Sequence, residues 1–571
     1  MEEIQKKSYN PICVRIILLL IISIFILAKA FITTQISLTD EAHYVATAYR
    51  FFKGDAVLVD DWSPEQMNGV LLLPFIYLFK VFWASTEGIM LYFRLIYLFI
   101  KLLIFIFAWY RLEKYGGYGA YGFFGALLFY LVTPFNIENL SYNTIPLMMV
   151  FLIGTIILTS RNRKYDYILC GIALAIAVLA QPYVILLYFF GLMGCLIYSV
   201  VKCRGGNKNF EIWKDFGWLT IGAALIALIF SVFVFSRTNI NSIANNIGFI
   251  LNEPDHGVTG QTGIQGYITK LRNTADIFVK SYYKIIIYNL VNLFFIVFLT
   301  WKTKKKRTFA IIAQLCTICC LILSCIMLLG MKSFMIENEI FIPFIGYALS
   351  QMVIGKRRCK ESVFFLFIGF YILAISLGTN TGVHAPNAAL SIVAIFSVIV
   401  FGKNAEADAG KYRLVVRYGI LLTIACAFTL RIIICWDEVY CPERYRCKIE
   451  RGPLRGTYTT ETIYDGYNQI CKDLDLITWK REDILFCGSE TPIAYLYADV
   501  NYGIMGTPFF YMDYERYQQY LSLHPQKNPT VIYYLTLTGG KEEKQFIENC
   551  LTDFDIIIME NRVLLRKKEK E

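Results

Sequence analysis

Charge is scarce in this chain. Only 17% of its 571 residues are Asp, Glu, Lys or Arg, against 56% hydrophobic and 16% aromatic, a far more apolar balance than an ordinary soluble domain has. Histidine is scarcer still, at four residues. His256, in NEPDHGVTGQTG (252–263) with Glu253 and Asp255, has no second histidine close enough to make a ligand pair, so no metal site is read there. The net charge of +11 would suit nucleic acid, but the Lys and Arg residues sit in short clusters between apolar runs. There is no basic stripe with interleaved aromatics, which excludes a nucleic-acid partner. The sixteen cysteines make no zinc framework, since many (Cys170, Cys316, Cys319, Cys320, Cys325, Cys426) lie in apolar runs, where a thiol is a small hydrophobe. Cys441 and Cys447 fit either a local disulfide or two free thiols. No internal repeat or low-complexity segment is present.

What is abundant is apolar sequence in runs near the ~20 residues that cross ~30 Å of hydrocarbon. Thirteen such runs fall near 14–34, 89–110, 118–134, 143–159, 167–180, 183–201, 216–235, 284–300, 309–330, 339–354, 362–378, 388–402 and 418–435. This predicts a polytopic α-helical membrane protein of about thirteen spans. The first run has no small-residue cleavage site after it and reads as an uncleaved span. Polybasic connections, KTKKKR (302–307) and KRRCK (356–360) most clearly, set the N-terminus in the cytoplasm and residues 436–571 outside. This orientation needs a break between spans at Gln181-Pro182. Two long outer loops follow, 35–88 and 236–283. The tail alternates strand-like runs (484–486, 531–537, 554–565) with helical stretches around 460–475 and 541–550, predicting a C-terminal extracytoplasmic α/β domain.

The polar residues that remain are concentrated in the outer loops. Asp40 and Glu41 stand immediately beyond the first span, and Ala42, Val45, Ala46 and Tyr49 follow with helical spacing. The acids therefore cap a helix N-terminus, where the dipole keeps carboxylates ionised and able to take a proton from an acceptor. Further along the loop, VDDWSPEQMNG (59–69) supplies Asp60, Asp61, Trp62, Glu65, Gln66 and Asn68, either a solvated turn or a substrate loop. Arg94, inside the second apolar run, is costly there unless paired. It suits bidentate binding of a phosphate, or snorkelling to the interface. Glu138 is the only charge in the turn TPFNIENLSYN and falls on the same side as Asp40. Asp255 and His256 belong to a glycine-containing loop able to close over a substrate, or to a plain surface loop.

DEAHY (40–44), the aromatic-rich helix after it, Gly54-Asp55, Trp62, Pro64 and Asn68-Gly69 before Pro74 together resemble the GT-C class of membrane glycosyltransferases. The likeness is to the protein O-mannosyltransferase and aminoarabinose-lipid A transferase group, and it covers about the first 190 residues. The resemblance implies an inverting transfer of a hexosyl or pentosyl group. The donor would be a polyprenyl-phosphate-linked sugar held in membrane lipid, and the acceptor an extracytoplasmic lipid, glycan or protein. It places the catalytic role on Asp40 with Glu41, completion of the site on Glu138, and donor-phosphate binding on Arg94. Where the aminoarabinose transferases carry Lys-Pro-Pro after Asn-Gly, this chain has Leu72-Leu73-Pro74. No cofactor is implied. The competing classes are a transporter or flippase, which would carry ionisable groups in mid-span, and a non-catalytic membrane scaffold.

Overall fold

The computed structural model describes residues 11–34, 39–161, 163–203, 211–251, 263–302, 306–329, 342–354, 359–377, 384–408, 412–435, 438–439, 442–488, 491–507, 514–536, 541–559 and 561–569. Helices dominate up to Ile433: α1 (Pro11–Ala30), α2 (Thr39–Lys53), α3 (Met67–Phe82), α4 (Ile89–Lys114), α5 (Gly119–Leu131), α6 (Thr144–Thr159), α7 (Lys164–Ala180), α8 (Ile185–Cys203), α9 (Glu211–Phe235), α10 (Ile240–Leu251), α11 (Gly263–Lys302) and α12 (Lys306–Leu329), then Pro343–Ile354, Cys359–Leu377, His384–Asp408 and Arg413–Ile433. Among the described residues, six stretches, Ile12–Ala30, Ile89–Lys114, Pro182–Val200, Ile212–Phe235, Ile268–Leu299 and Thr308–Met327, are long and apolar enough to cross a bilayer, and shorter apolar helices accompany them. On α1, Ile17, Leu20, Ile21 and Ile24 are each more than half exposed. Such a stripe is intolerable against water but is the expected surface against lipid tails.

The bundle closes where glycines admit neighbouring backbones. A Cβ on Gly171 of α7 would stand 1.9 Å from the Leu219 carbonyl oxygen of α9, and one on Gly222 2.1 Å from that of Ile168. Any side chain would force the two helices apart, the small-residue contact typical of membrane helices. The expected break is present. α7 ends at Ala180, Gln181 is extended (φ −142°, ψ 99°), and Pro182–Val184 makes a 3-10 turn before α8. The ring of Pro182 disfavours helical backbone at Gln181.

Other boundaries differ from the sequence reading. The first long loop contains α2 and the apolar α3, and the second contains α10 and the first half of α11. The run at 284–300 is the distal part of that 40-residue helix, which bends at Tyr282 (φ −118°, ψ 15°). Polar residues before the apolar run hid the helix from a search for hydrophobic stretches. The tail yields a five-stranded sheet of β1 (Ile484–Gly488), β2 (Asn501–Tyr502), β3 (Val531–Tyr534), β4 (Phe554–Met559) and β5 (Val563–Lys567), in the order β2-β1-β3-β5-β4. β1 pairs in parallel with β2 and β3, while β5 runs antiparallel to β3 and β4. The run 554–565, read as one stretch, is a hairpin with an irregularity between Ile556 and Ile558.

The sheet-bearing part is tied to the helix ends. The chain leaving α1 pairs with it through Thr33 N–H to the Tyr458 carbonyl (2.8 Å) and Tyr458 N–H to the Phe31 carbonyl (2.7 Å). At the start of α4, Gly88 N–H donates to Gly452 (3.0 Å) and Met90 N–H to Pro453 (3.1 Å). The outlet of α1 and the inlet of α4, which flank the candidate site, are therefore fixed to one scaffold.

Candidate active site

α2 begins at Thr39, which puts Asp40 and Glu41 in its first turn; the side chain of Asp40 lies outside the described residues. Glu41 is buried and forms the hub of an ionic cluster. Arg94, buried on α4, donates from Nε (2.9 Å) and Nη2 (2.7 Å) to Glu41 Oε2. Its Nη1 donates to the carbonyls of Ala30 (3.0 Å) and Ile32 (2.9 Å). Four of the five guanidinium N–H groups thus hold the carboxylate and the chain leaving α1. The cost of burying Arg94 is offset by a charged partner and by carbonyls that have left helical pairing.

The other oxygen of Glu41 faces the turn between α5 and α6. Glu138 N–H donates to Glu41 Oε1 (3.1 Å), and Asn139 Nδ2 donates to the Glu41 carbonyl (3.1 Å). The Glu138 carboxylate is buried against Lys29 Nζ at 3.1 Å and accepts from Thr133 Oγ1 at 3.4 Å. The turn is shaped by Phe135, a bulky residue in the left-handed region (φ 56°, ψ 18°), a conformation that costs on the order of 1–3 kcal/mol and persists when surrounding contacts impose it. Lys101, buried on α4, donates to the Val132 carbonyl and to Thr133 Oγ1 (3.2 Å), neutralising the C-terminal end of α5. Glu41, Arg94 and Glu138, singled out from sequence, are brought together. Lys29, Lys101, Thr133 and Asn139 were missed. The two lysines carried a signal, being ionisable groups inside apolar runs.

The loop 59–69 takes a different position. Asp61 is fully buried near Arg50 Nη1 (3.4 Å) and accepts from Ser63 N–H (2.8 Å); burial pushes its carboxyl above the usual range, opposed by Arg50. Gln66 braces the loop from inside, accepting from Leu58 N–H (2.6 Å) and donating to the carbonyls of Asp61 (2.7 Å) and Ser63 (3.0 Å). Trp62 lies flat on Phe249 of α10 (centroids 4.2 Å apart, 3° between planes) and edge-on to Tyr520 of the C-terminal part. Its Nε1 donates to Asn246 Oδ1 (2.8 Å), which also lies 3.0 Å from His524 Nε2. Asp55 joins Arg50 to Lys527. Asp61, Trp62 and Gln66 are thus engaged in a seam joining both long loops to the C-terminal part. Asn68 is buried on α3, its Nδ2 and Oδ1 without hydrogen-bond partners among the described residues. Asp255, His256 and Cys441 lie outside the described residues. Among the described residues, no group of three or more His, Cys, Asp or Glu side chains stands ready to hold a metal ion.

The architecture is therefore a bundle of apolar helices with buried, mutually paired acids and bases at the ends that meet a sheet-bearing domain. No protein-family model matches the chain, and no curated protein matches it. Among solved structures it is similar to ArnT from Cupriavidus metallidurans bound to undecaprenyl phosphate, with 12% identity and a TM-score of 0.48 over 97% of each chain. It is also similar to the oligosaccharyltransferase AglB from Archaeoglobus fulgidus in complex with an inhibitory peptide and a dolichol-phosphate, with 10% identity and a TM-score of 0.45 over 92% of this chain and 70% of that one.

Proposed function

We propose that this chain is a membrane glycosyltransferase that passes a hexosyl or pentosyl group from a polyprenyl-phosphate carrier to an acceptor outside the cytoplasm. The observation that carries the reading is the joining of Glu41 and Glu138, from two separate loops, through the Glu138 N–H, with Arg94 paired to the first carboxylate and Lys29 to the second, beside the first turn of α2, which carries Asp40. Buried acids held by fixed cations at a membrane boundary suit a reaction in which a proton leaves an acceptor while negative charge collects on a phosphate.

In this mechanism Asp40 takes the proton of the acceptor hydroxyl as its oxygen attacks the anomeric carbon. The bond from that carbon to the phosphate oxygen breaks, and the electron pair departs with the lipid phosphate. In-line displacement inverts the anomeric centre. Arg94 acts in two ways, fixing Glu41 with most of its N–H groups and offering the one left on Nη2 to a phosphate oxygen. Glu41 and Glu138 position the first turn of α2 relative to the α5–α6 turn. The C-terminal part, anchored to α1 and α4, bounds the acceptor side.

The test is transfer of labelled sugar from polyprenyl phosphate in membranes, normalised to protein level. Asp40→Asn keeps shape and removes basicity, so transfer should fall about 10²-fold or more. Normal transfer by Asp40→Asn, Glu41→Gln and Glu138→Gln alike would refute the reading.

A further inference from the structure

The end of the bundle opposite the candidate site carries charge of its own. α4 holds Arg94 near its start and ends at Lys114, and between these two residues the helix rises about 30 Å, the thickness of the hydrocarbon layer. There Arg111 ties α4 to the turn leading into α7, donating to both oxygens of Asp166 (2.7 and 3.1 Å) and to Thr159 Oγ1 (2.9 Å). Lys114, Arg161, Arg163 and Lys164 stand around this tie, all exposed. Among the described residues, none of the four has a carboxylate partner. The acids of the same end are engaged elsewhere. Asp166 serves Arg111, Glu113 accepts from Arg15 Nη1 (2.8 Å) and Trp109 Nε1 (2.7 Å), and Asp215 of α9 accepts from the Tyr167 hydroxyl.

The cations are held on aromatic rings. The Arg161 guanidinium lies over Tyr115, with Cζ 4.4 Å from the ring centre, and Lys114 Nζ stands 5.5 Å from the same centre and 4.8 Å from that of Tyr110. Lys164 Nζ lies over Tyr165 (5.1 Å) and over Trp218 of α9 (5.8 Å). A guanidinium laid on a ring spends its flat face there and keeps its N–H edge for an oxyanion. Lys114 and Arg161 share one ring and repel each other, a cost that an anion between them relieves. Deeper along α4 the exposed face is apolar. Phe99, Leu103, Ile106 and Tyr110 are each about half exposed, and with Lys114 they fall at helical spacing on one stripe, which leads from the middle of the helix to the cations.

We infer that this end of α4 seats one anionic phospholipid, its acyl chain along Phe99, Leu103 and Ile106 and its phosphate between Lys114 and Arg161. The apolar stripe favours a lipid over a soluble anion, because a free phosphate would leave that stripe uncovered. The unpartnered cations favour an anionic headgroup over a zwitterionic one, whose own ammonium would enter the patch. Exposed Tyr110 and Tyr165 have the amphipathic rings that settle at headgroup depth. The site lies in the leaflet opposite Arg94, uses none of the residues assigned to transfer, and is independent of the transferase reading.

The test uses the full-length protein in a neutral detergent, titrated with dioleoylphosphatidylglycerol or with dioleoylphosphatidylcholine, which has the same chains and a zwitterionic head. Native mass spectrometry reads the Kd of the first lipid bound. The anionic lipid should bind about ten-fold tighter or more, and Arg161→Gln and Lys114→Gln should each weaken it about five-fold, the scale of one cation at a lipid surface. Arg161→Lys keeps the charge and loses the stacked fork, so it should weaken binding about two-fold or more. Arg272→Gln removes an exposed charge from α11 and should change nothing. These side chains are exposed, so their replacement leaves the fold intact. Equal Kd values for the two lipids would overturn the inference. So would wild-type binding by Arg161→Lys together with an equal loss in Arg272→Gln, the mark of a diffuse field rather than a site. Displacement of the lipid by millimolar inorganic phosphate would assign the patch to the free anion and overturn the lipid.

Discussion

Replacing Arg94 tests the hub of the site most directly. The guanidinium makes two charge-assisted hydrogen bonds to Glu41 and two to the carbonyls of Ala30 and Ile32. Arg94→Ala leaves a buried carboxylate without its cation, which costs about 3–5 kcal/mol when the partner stays behind. Arg94→Lys keeps the charge, but an ammonium lacks the planar fork needed to serve the carboxylate and both carbonyls together. Loss of one charge-assisted bond, about 2 kcal/mol, lowers the population of the working arrangement roughly 30-fold, since 1.4 kcal/mol is tenfold. Transfer per unit protein should therefore fall about 30-fold in Arg94→Lys and further in Arg94→Ala, with insertion into the membrane intact. A fall in kcat assigns Arg94 mainly to holding Glu41, and a rise in donor KM assigns it to the phosphate. A double-mutant cycle with Glu41→Gln should give a coupling of at least about 1 kcal/mol. Wild-type turnover in both Arg94 variants would refute the reasoning and leave Arg94 a structural anchor.

Two further outcomes follow from the fold. His524 lies in the seam, where burial first, and then Arg50 and Lys527, push its pKa below the ordinary 6.5 against the pull of Asp60 and Asp55. The folded protein thus binds this proton less well than the unfolded chain. The stabilisation is present above about pH 6.5 and lost as pH falls through the lowered value, so thermal unfolding in detergent should show declining stability on acidification, with a shallower decline in His524→Gln; equal slopes would refute the assignment. For topology, a reporter fused after residue 571 should be active only outside the cytoplasm and one near Lys305 only inside, and a common side for both would overturn the proposed orientation.

The chain's own composition determined its class of structure. Runs of twenty apolar residues have few low-energy arrangements other than helices in a bilayer, and the Gln181-Pro182 break and the strands that begin at Ile484 and Val531 were legible because proline stereochemistry and β-branched and aromatic patterning act locally. Asp40, Glu41, Arg94 and Glu138 stood out for a related reason, as charges at or inside apolar boundaries that need a partner. Which partner each charge takes is decided only by the fold. Glu41 meets Arg94 across 53 residues and the Glu138 amide across 97, and no local pattern encodes distances of that kind. The loop 59–69 shows the same limit, since its acids and Trp62 look alike as a solvated turn, a substrate loop or a seam until Phe249, Asn246 and Tyr520 are brought against them. Local physical chemistry fixes which groups must be satisfied, and long-range packing chooses what satisfies them.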